Sequence, residues 1–252
     1  GAQEQRIHGG AQALVEGLQQ RAQAAGAQWR LSQPVLAIEQ DDKGVTVRTA
    51  AESLRAARVV VAMAPAAARH IGFPQGLPDN RQRLLQQMPM GAVIKCVALY
   101  PRPFWRDAGL SGELVTDEAP MRMCFDATPP ESPVGALVGF ILADEARHWS
   151  GREPAERRSA VLGQLAAAFG SEAQSPLEFL EKDWCADEWS AGCYVGLMEP
   201  GLMSDIGAAV RETAGRIHWA GTETATRWNG YIEGALQSGE RAADEVLGTL
   251  IL

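Results

Sequence analysis

The sequence predicts a mixed α/β fold, and three observations carry that prediction. Apolar runs of strand length alternate with stretches of helical period along most of the chain. Residues 154–169 read as a helix with a proline in the first turn and Gly170 just beyond the end, the usual asymmetry of helix punctuation. Residues 216–248 read as a short buried strand, a loop rich in Gly and Thr, and a long helix that begins near Gly230 and runs through Val246.

Taken in order, residues 1–10 carry neither a start methionine nor a strand of the kind that opens a domain. Leu14 and Leu18 stand at helical spacing, with Gly26 as a stop. Residues 29–40 read as a strand, 41–44 as a turn and 45–49 as the returning strand of a hairpin. Residues 58–64 are a continuous apolar run, expected to be a strand buried on both faces. Pro65 ends it, and a short helix to His70 follows. Residues 76–78 look like a crossing between domains, and 79–87 is an amphipathic helix. Strands are expected over 92–100, 110–117, 122–126, 136–143 and 179–184, with loop from there to Ile217. No internal repeat or low-complexity segment is present.

The composition narrows the function classes. A chain of 252 residues with a net charge of -8 does not present the basic surface that nucleic acid or an anionic membrane attracts. The four cysteines, Cys96, Cys124, Cys185 and Cys193, form no CxxC pair, and His8, His70, His148 and His218 lack ligand spacing, so no metal site is expected. With no secretory signal and no apolar run long enough to span a bilayer, the expectation is a soluble protein of a reducing compartment, cytoplasmic and without a membrane anchor.

Few residues stand out as carriers of chemistry. Lys95 interrupts the apolar strand GAVIKCVAL, where its ammonium must find water or a polar partner. Tyr194 and Tyr231 are two of only three tyrosines. The loop holding Gly221, Thr222, Thr224, Asn229 and Gly230 precedes a helix N-terminus, whose unpaired amides and dipole suit an anion or a cofactor. An ordinary strand-to-helix junction reads the same way from shape alone.

The wording of that loop is more specific than its shape. AGTETA, WNGYIEGA and SGERAA closely resemble the C-terminal flavin-binding signature of the flavin-containing amine oxidases, the monoamine oxidase family. GGAQALVEGL, PVLAIEQDDKGVTV, ARVVVAMAP, MPMGAVIKC, PFWRDAGLSGE, GFILADEAR and EKDWCADEWSAGCY fall in the family's order, from Gln3 to about Leu250. The resemblance implies an incomplete Rossmann-like FAD-binding domain over 1–84 and 187–252, interleaved with a mixed-sheet substrate-binding domain over 85–186. It implies FAD as cofactor, an amine and oxygen as substrates, and an aldehyde and hydrogen peroxide as products.

It also implies site roles. Lys95 would hold a water beside flavin N5, and Tyr194 and Tyr231 would cage the amine. Val115, Met123 and Phe140 would line the substrate cavity. Val35 would meet the adenosine part of the dinucleotide, and Trp184 and Trp189 would flank the flavin or its loop. Gly221, Thr222, Glu223, Gly230, Tyr231 and Ile232 would form the flavin loop. Cys193 matches the place of covalent flavin attachment in animal monoamine oxidases, with Ala191 where those have glycine; an inert buried thiol is the other reading. Family members open on a strand, GxGxxG and a helix, and this chain has no GxGxxG. The chain is therefore expected to be inactive alone, and apolar faces at 59–61 and on the C-terminal helix to draw a second copy or an N-terminal partner chain. A polyamine or amino-acid oxidase, and a non-catalytic interaction module, remain as alternatives.

Overall fold

The computed structural model describes residues 7 and 9–250. His8 and the start of the resemblance at Gln3 lie outside them. Helix α1 (Ala11–Ala24) forms where the leucine spacing places it, yet it buries no residue: Leu14 is half-buried and Leu18 exposed. Strands β1 (Val35–Asp41) and β2 (Gly44–Thr49) make the expected hairpin, and β3 (Ser53–Ala56), unforeseen, pairs antiparallel with β2. β1 starts at Val35 rather than residue 29, because residues 31–32 turn with Ser32 at φ 57 and Pro34 has no amide hydrogen to give a ladder.

β4 (Val59–Ala62) is followed by α2 (Pro65–Ala68) and α3 (Asp79–Gln87), both as expected. The expectation that β4 is buried on both faces is corrected: Val61 is buried, but Val60 is 39% exposed. Val61 points into a cluster with Ile38, Ala68, Ile71, Leu85, Ile217 and Trp219, whereas the opposite face meets solvent.

The largest sheet comprises β5 (Val93–Tyr100), β6 (Leu114–Val115), β7 (Met123–Asp126), β8 (Gly135–Leu142) and, beyond α4 (Ala143–Ser150) and α5 (Pro154–Phe169), β9 (Glu178–Asp183). The order is β6-β7-β8-β5-β9, and each pairing is antiparallel, where a mixed sheet was expected. β6 is two residues long instead of eight, since the chain before it turns through Gly109 and Gly112 at φ 74 and 80. One sheet face is closed by α4 and α5, with Ile94, Cys96, Cys124, Leu137 and Ile141 packed against Ala146, Val161, Leu162 and Leu165. Gly139 is required there: a Cβ would overlap Met121 Sδ, which lies across the strand.

Much of the stretch read as loop before Ile217 is ordered. α6 (Leu202–Ile206) and a 3-10 turn over Gly207–Val210 bury Leu202, Ile206, Ala209 and Val210 against Leu84 of α3 and Met88 just beyond it. The buried Arg81 of α3 places its guanidinium 4.0 Å from the centre of the Trp219 ring and donates to Ala209 O and Glu212 O. β10 (Ile217–Ala220) pairs parallel to β4, in register from Ile217–Val59 to Ala220–Ala62. α7 (Ile232–Leu250) begins two residues after Gly230 and extends four residues past Val246. Among the described residues, no helix is long and apolar enough to cross a membrane.

The closed core has a measurable pH signature. Burial pushes the Cys96 and Cys124 thiols up to about 12 and raises the Tyr100 phenol as well. Between the ordinary thiol pKa and about 12, the unfolded chain releases protons that the folded chain keeps, so stability falls as pH rises through that window and is untouched below it. The expected result is a lower melting temperature at about pH 10.5 than at about pH 8, with a shallower slope in a Cys96→Ala, Cys124→Ala double variant. Parallel slopes in the two proteins would contradict it.

Candidate functional site

The face of the large sheet away from α5 carries a row of side chains set by strand register. Direct cross-strand partners share a face, and the pairings run Val115–Met123–Phe140–Lys95–Lys182 across all five strands. Four of these five were picked out from the sequence. A second row, Phe125–Val138–Val97–Leu180, lies beside it and is wholly apolar. Phe125 and Phe140 meet edge to face at 6.5 Å between centroids. Lys95 is exposed on this face, its Nζ 5.9 Å from the centre of the Phe140 ring, and it has no carboxylate partner among the described residues.

The Cys193 segment packs at the start of β5. Trp184 N–H donates to Val93 O at 3.1 Å, and the loop then folds back so that Cys193 N–H donates to Gly91 O at 2.9 Å and Gly91 N–H to Val195 O at 3.1 Å. Gly91 cannot be replaced without moving that loop, because a Cβ would overlap Cys193 O. Burial pushes the Cys193 thiol up, and the Lys95 charge opposes that push.

The second wall comes from the loop between β10 and α7. Both parallel strands end at the same level, which places the turns after Ala62 and Ala220 side by side at their carboxyl ends, the usual crevice for a cofactor in a parallel sheet. Thr222 Oγ1 accepts from Gly230 N–H at 2.7 Å and donates to Tyr231 O at 3.0 Å. Glu223, 5% exposed, accepts from Gly196 N–H at 3.0 Å. Thr222 and Glu223 thus hold the shape of the loop. Glu223 also ties it to the Cys193 segment, and Gly230 lies against Val195. The neighbours of Tyr194 and Tyr231 therefore touch, and both tyrosines stay accessible, at 73% and 43%. Tyr231 packs edge to face on Trp228 at 5.7 Å. The amides of Ile232 and its successors open α7 with no intrahelical acceptor.

Val35 stands apart from this group. With Trp189, Met63, His70 and Glu188 it lines a cleft of about 580 Å³ beside the end of β4. A dinucleotide held at the carboxyl ends of β4 and β10 has a redox end to place near Tyr231 and a distal end to place near Val35. The donor set fits it: backbone amides at a helix start, small residues in the loop and apolar walls. Two polar residues of the row's end were not legible in the sequence. Lys182 occupies the position opposite Lys95, and Asp187 accepts its ammonium at 2.5 Å. The available signal was scarcity: Lys182 and Lys95 are two of the chain's three lysines.

The flavin containing amine oxidoreductase family model matches residues 1–247. The chain is 42% identical over 252 residues to the probable flavin-containing monoamine oxidase A of Dictyostelium discoideum, covering 100% of this chain and 55% of that protein. It is 39% identical over 244 residues to an L-amino acid dehydrogenase of a Synechocystis strain, covering 97% of this chain and 51% of that protein. Among solved structures, the cyclohexylamine oxidase from Brevibacterium oxydans IH-35A superposes with a TM-score of 0.81 at 40% identity, over 87% of this chain and 49% of that one. The chain spans about half the length of the relatives it matches.

Proposed function

The chain belongs to the flavin-containing amine oxidoreductase family, and from that premise we propose that it forms the substrate-facing half of an FAD-dependent amine oxidase, with residues 85–186 as the substrate sheet and residues 1–84 and 187–252 as part of the FAD-binding domain. FAD is the cofactor of that family. The observation that carries the reading is the register row, which sets Val115, Met123 and Phe140 in line with Lys95, on a strand whose start is bonded to the segment of Cys193 and Tyr194.

Bound FAD supplies the acceptor for two electrons and a hydrogen from the α-carbon of a neutral amine, oxygen takes the electrons on as hydrogen peroxide, and the imine hydrolyses to an aldehyde. The chain's residues do the rest. Tyr194 and Tyr231 offer ring faces to the amine nitrogen and limit its approach. Phe140, Met123 and Val115 provide the apolar wall that takes the substrate's carbon part and excludes water. Lys95 holds a water and a positive charge where oxygen gains negative charge. The first amides of α7, with Gly230, Tyr231 and Ile232, would hold the flavin's electron-rich end, and Gly221, Thr222 and Glu223 keep that loop in shape. Trp184 would border the ring system, Val35 and Trp189, which share a cleft, would border the adenosine end, and Cys193 is the place for a thioether tether.

The chain carries no glycine-rich βα turn for the pyrophosphate, and Leu36, Val60, Leu236 and Leu247 form exposed apolar surface beside the parallel strands and on α7. That apolar surface supports docking with a further polypeptide segment or with a second copy. The test joins this chain to the part of the cyclohexylamine oxidase that it does not match. Peroxide released from primary amines by the chimera, and none from the 252-residue chain with added FAD, is the expected result. A folded, flavin-loaded chimera that oxidises no amine would overturn the reading.

A further inference from the structure

Deepening that reading, we propose that the Lys182–Asp187 ion pair sets the charge preference of the substrate site, cancelling the second lysine of the row so that the site takes simple amines over α-amino acids. Two observations converge on it. The register puts Lys182 directly opposite Lys95, on the open face that carries Phe140 and Met123. An unpaired ammonium there would give the row two adjacent cations, a ready site for the carboxylate of an amino acid. Asp187 removes that second charge. It accepts from Lys182 Nζ at 2.5 Å, and its other oxygen accepts from Ser190 Oγ at 2.6 Å, Ser190 N–H at 2.9 Å and Trp189 N–H at 3.2 Å.

The pair is built rather than incidental. The Asp187 side chain is only 19% exposed, and three donors besides the lysine fix its position. The Lys182 ammonium holds the Asp187 carboxyl well below the usual carboxylate range, with Ser190 adding to the effect, so the aspartate stays charged throughout the working pH range. Lys182 Nζ also lies 5.1 Å from the centre of the Trp184 ring, which confines it between aromatic face and carboxylate. Asp187 is a positioning and charge-setting residue, since it acts through Lys182.

Two substitutions of opposite charge effect decide the matter. Asp187→Asn keeps the shape and uncovers the Lys182 charge; Lys182→Met removes the cation and uncovers the aspartate. In the chimera, the ratio of kcat/KM for an aralkylamine to that for its α-amino acid should shift on the order of tenfold toward the amino acid in Asp187→Asn, and away from it in Lys182→Met, with both shifts shrinking at high salt. The double variant should return toward the parent. A role limited to ordering the loop would lower both substrates together and leave the ratio unmoved in every variant.

A second readout needs neither cofactor nor turnover. In the 252-residue chain, a Leu180→Cys reporter, exposed two residues from Lys182 on the same face of β9, should be alkylated by anionic iodoacetate faster, relative to neutral iodoacetamide, in Asp187→Asn, and slower in Lys182→Met. Equal ratios across the variants, read by site-resolved mass spectrometry, would overturn the inference even where the chimera oxidises amines. Opposite shifts in labelling would uphold it even were the chimera inactive, in which case the oxidase reading alone would fall.

Discussion

In the chimera, Lys95→Met slows the oxygen-consuming half of the reaction about a hundredfold and the amine-oxidising half much less. Lys95 is exposed in the row between Phe140 and Lys182, without a carboxylate partner among the described residues. Its ammonium is therefore available to stabilise negative charge developing on oxygen. Methionine keeps most of the volume and removes the donor. Loss of such a preorganised interaction costs about 3 kcal/mol, or roughly two orders of magnitude in rate. Amine oxidation develops no anion at that point and depends more on Tyr194, Tyr231 and Phe140. Stopped-flow measurement separates the two halves. A solvent-facing lysine on an alternating strand, the competing interpretation of the same exposure, would leave both rates unchanged.

The largest effect on stability is expected at Arg157. This residue of α5 is buried and donates to Glu181 of β9 through Nε at 3.1 Å and Nη2 at 2.5 Å, and to Trp149 O at 2.9 Å. It also binds Arg152 O, so it fastens the edge strand of the sheet to both the helix and the turn before it. Arg157→Met leaves Glu181 charged, with its side chain only 17% exposed, and two carbonyls short of a donor. Removing one partner of a buried pair costs about 3 to 5 kcal/mol, which for a chain of this size is a fall of roughly 10 °C in Tm. Adding Glu181→Leu should recover much of the loss, because it removes the stranded charge. A single variant that melts within a degree or two of the parent would show that water already reaches the pair. β9 also carries Lys182, so a loosened edge should blur the charge preference of the site as well.

The parts of the fold legible in the sequence are those with local punctuation. Pro154 and Gly170 bracket α5 to the residue, and the turn after Asp41 gives the first hairpin. The strand at Ile217 and the helix beyond Gly230 follow from a buried tetrapeptide and a small-residue loop. α4 was missed because its apolar start continues the run of β8, and α6 because two glycines flank five residues. β4 reads as doubly buried because its apolar run is continuous, yet which face is covered depends on neighbours that the run does not encode. For the site, residue types and order were legible through the family wording. The row was not, because register across five strands is a property of pairing and not of any one segment. Lys182 and Asp187 escaped for the same reason: the partnership becomes visible only once β9 is seen beside β5.

The most direct measurement is an anaerobic titration of the chimera with a primary amine, following the visible absorbance of its flavin. The expected result is a bound oxidised flavin that bleaches in proportion to the amine added. A flavin that chemical reductant bleaches but no amine does would contradict the claim that these residues form the substrate-facing half of an amine oxidase.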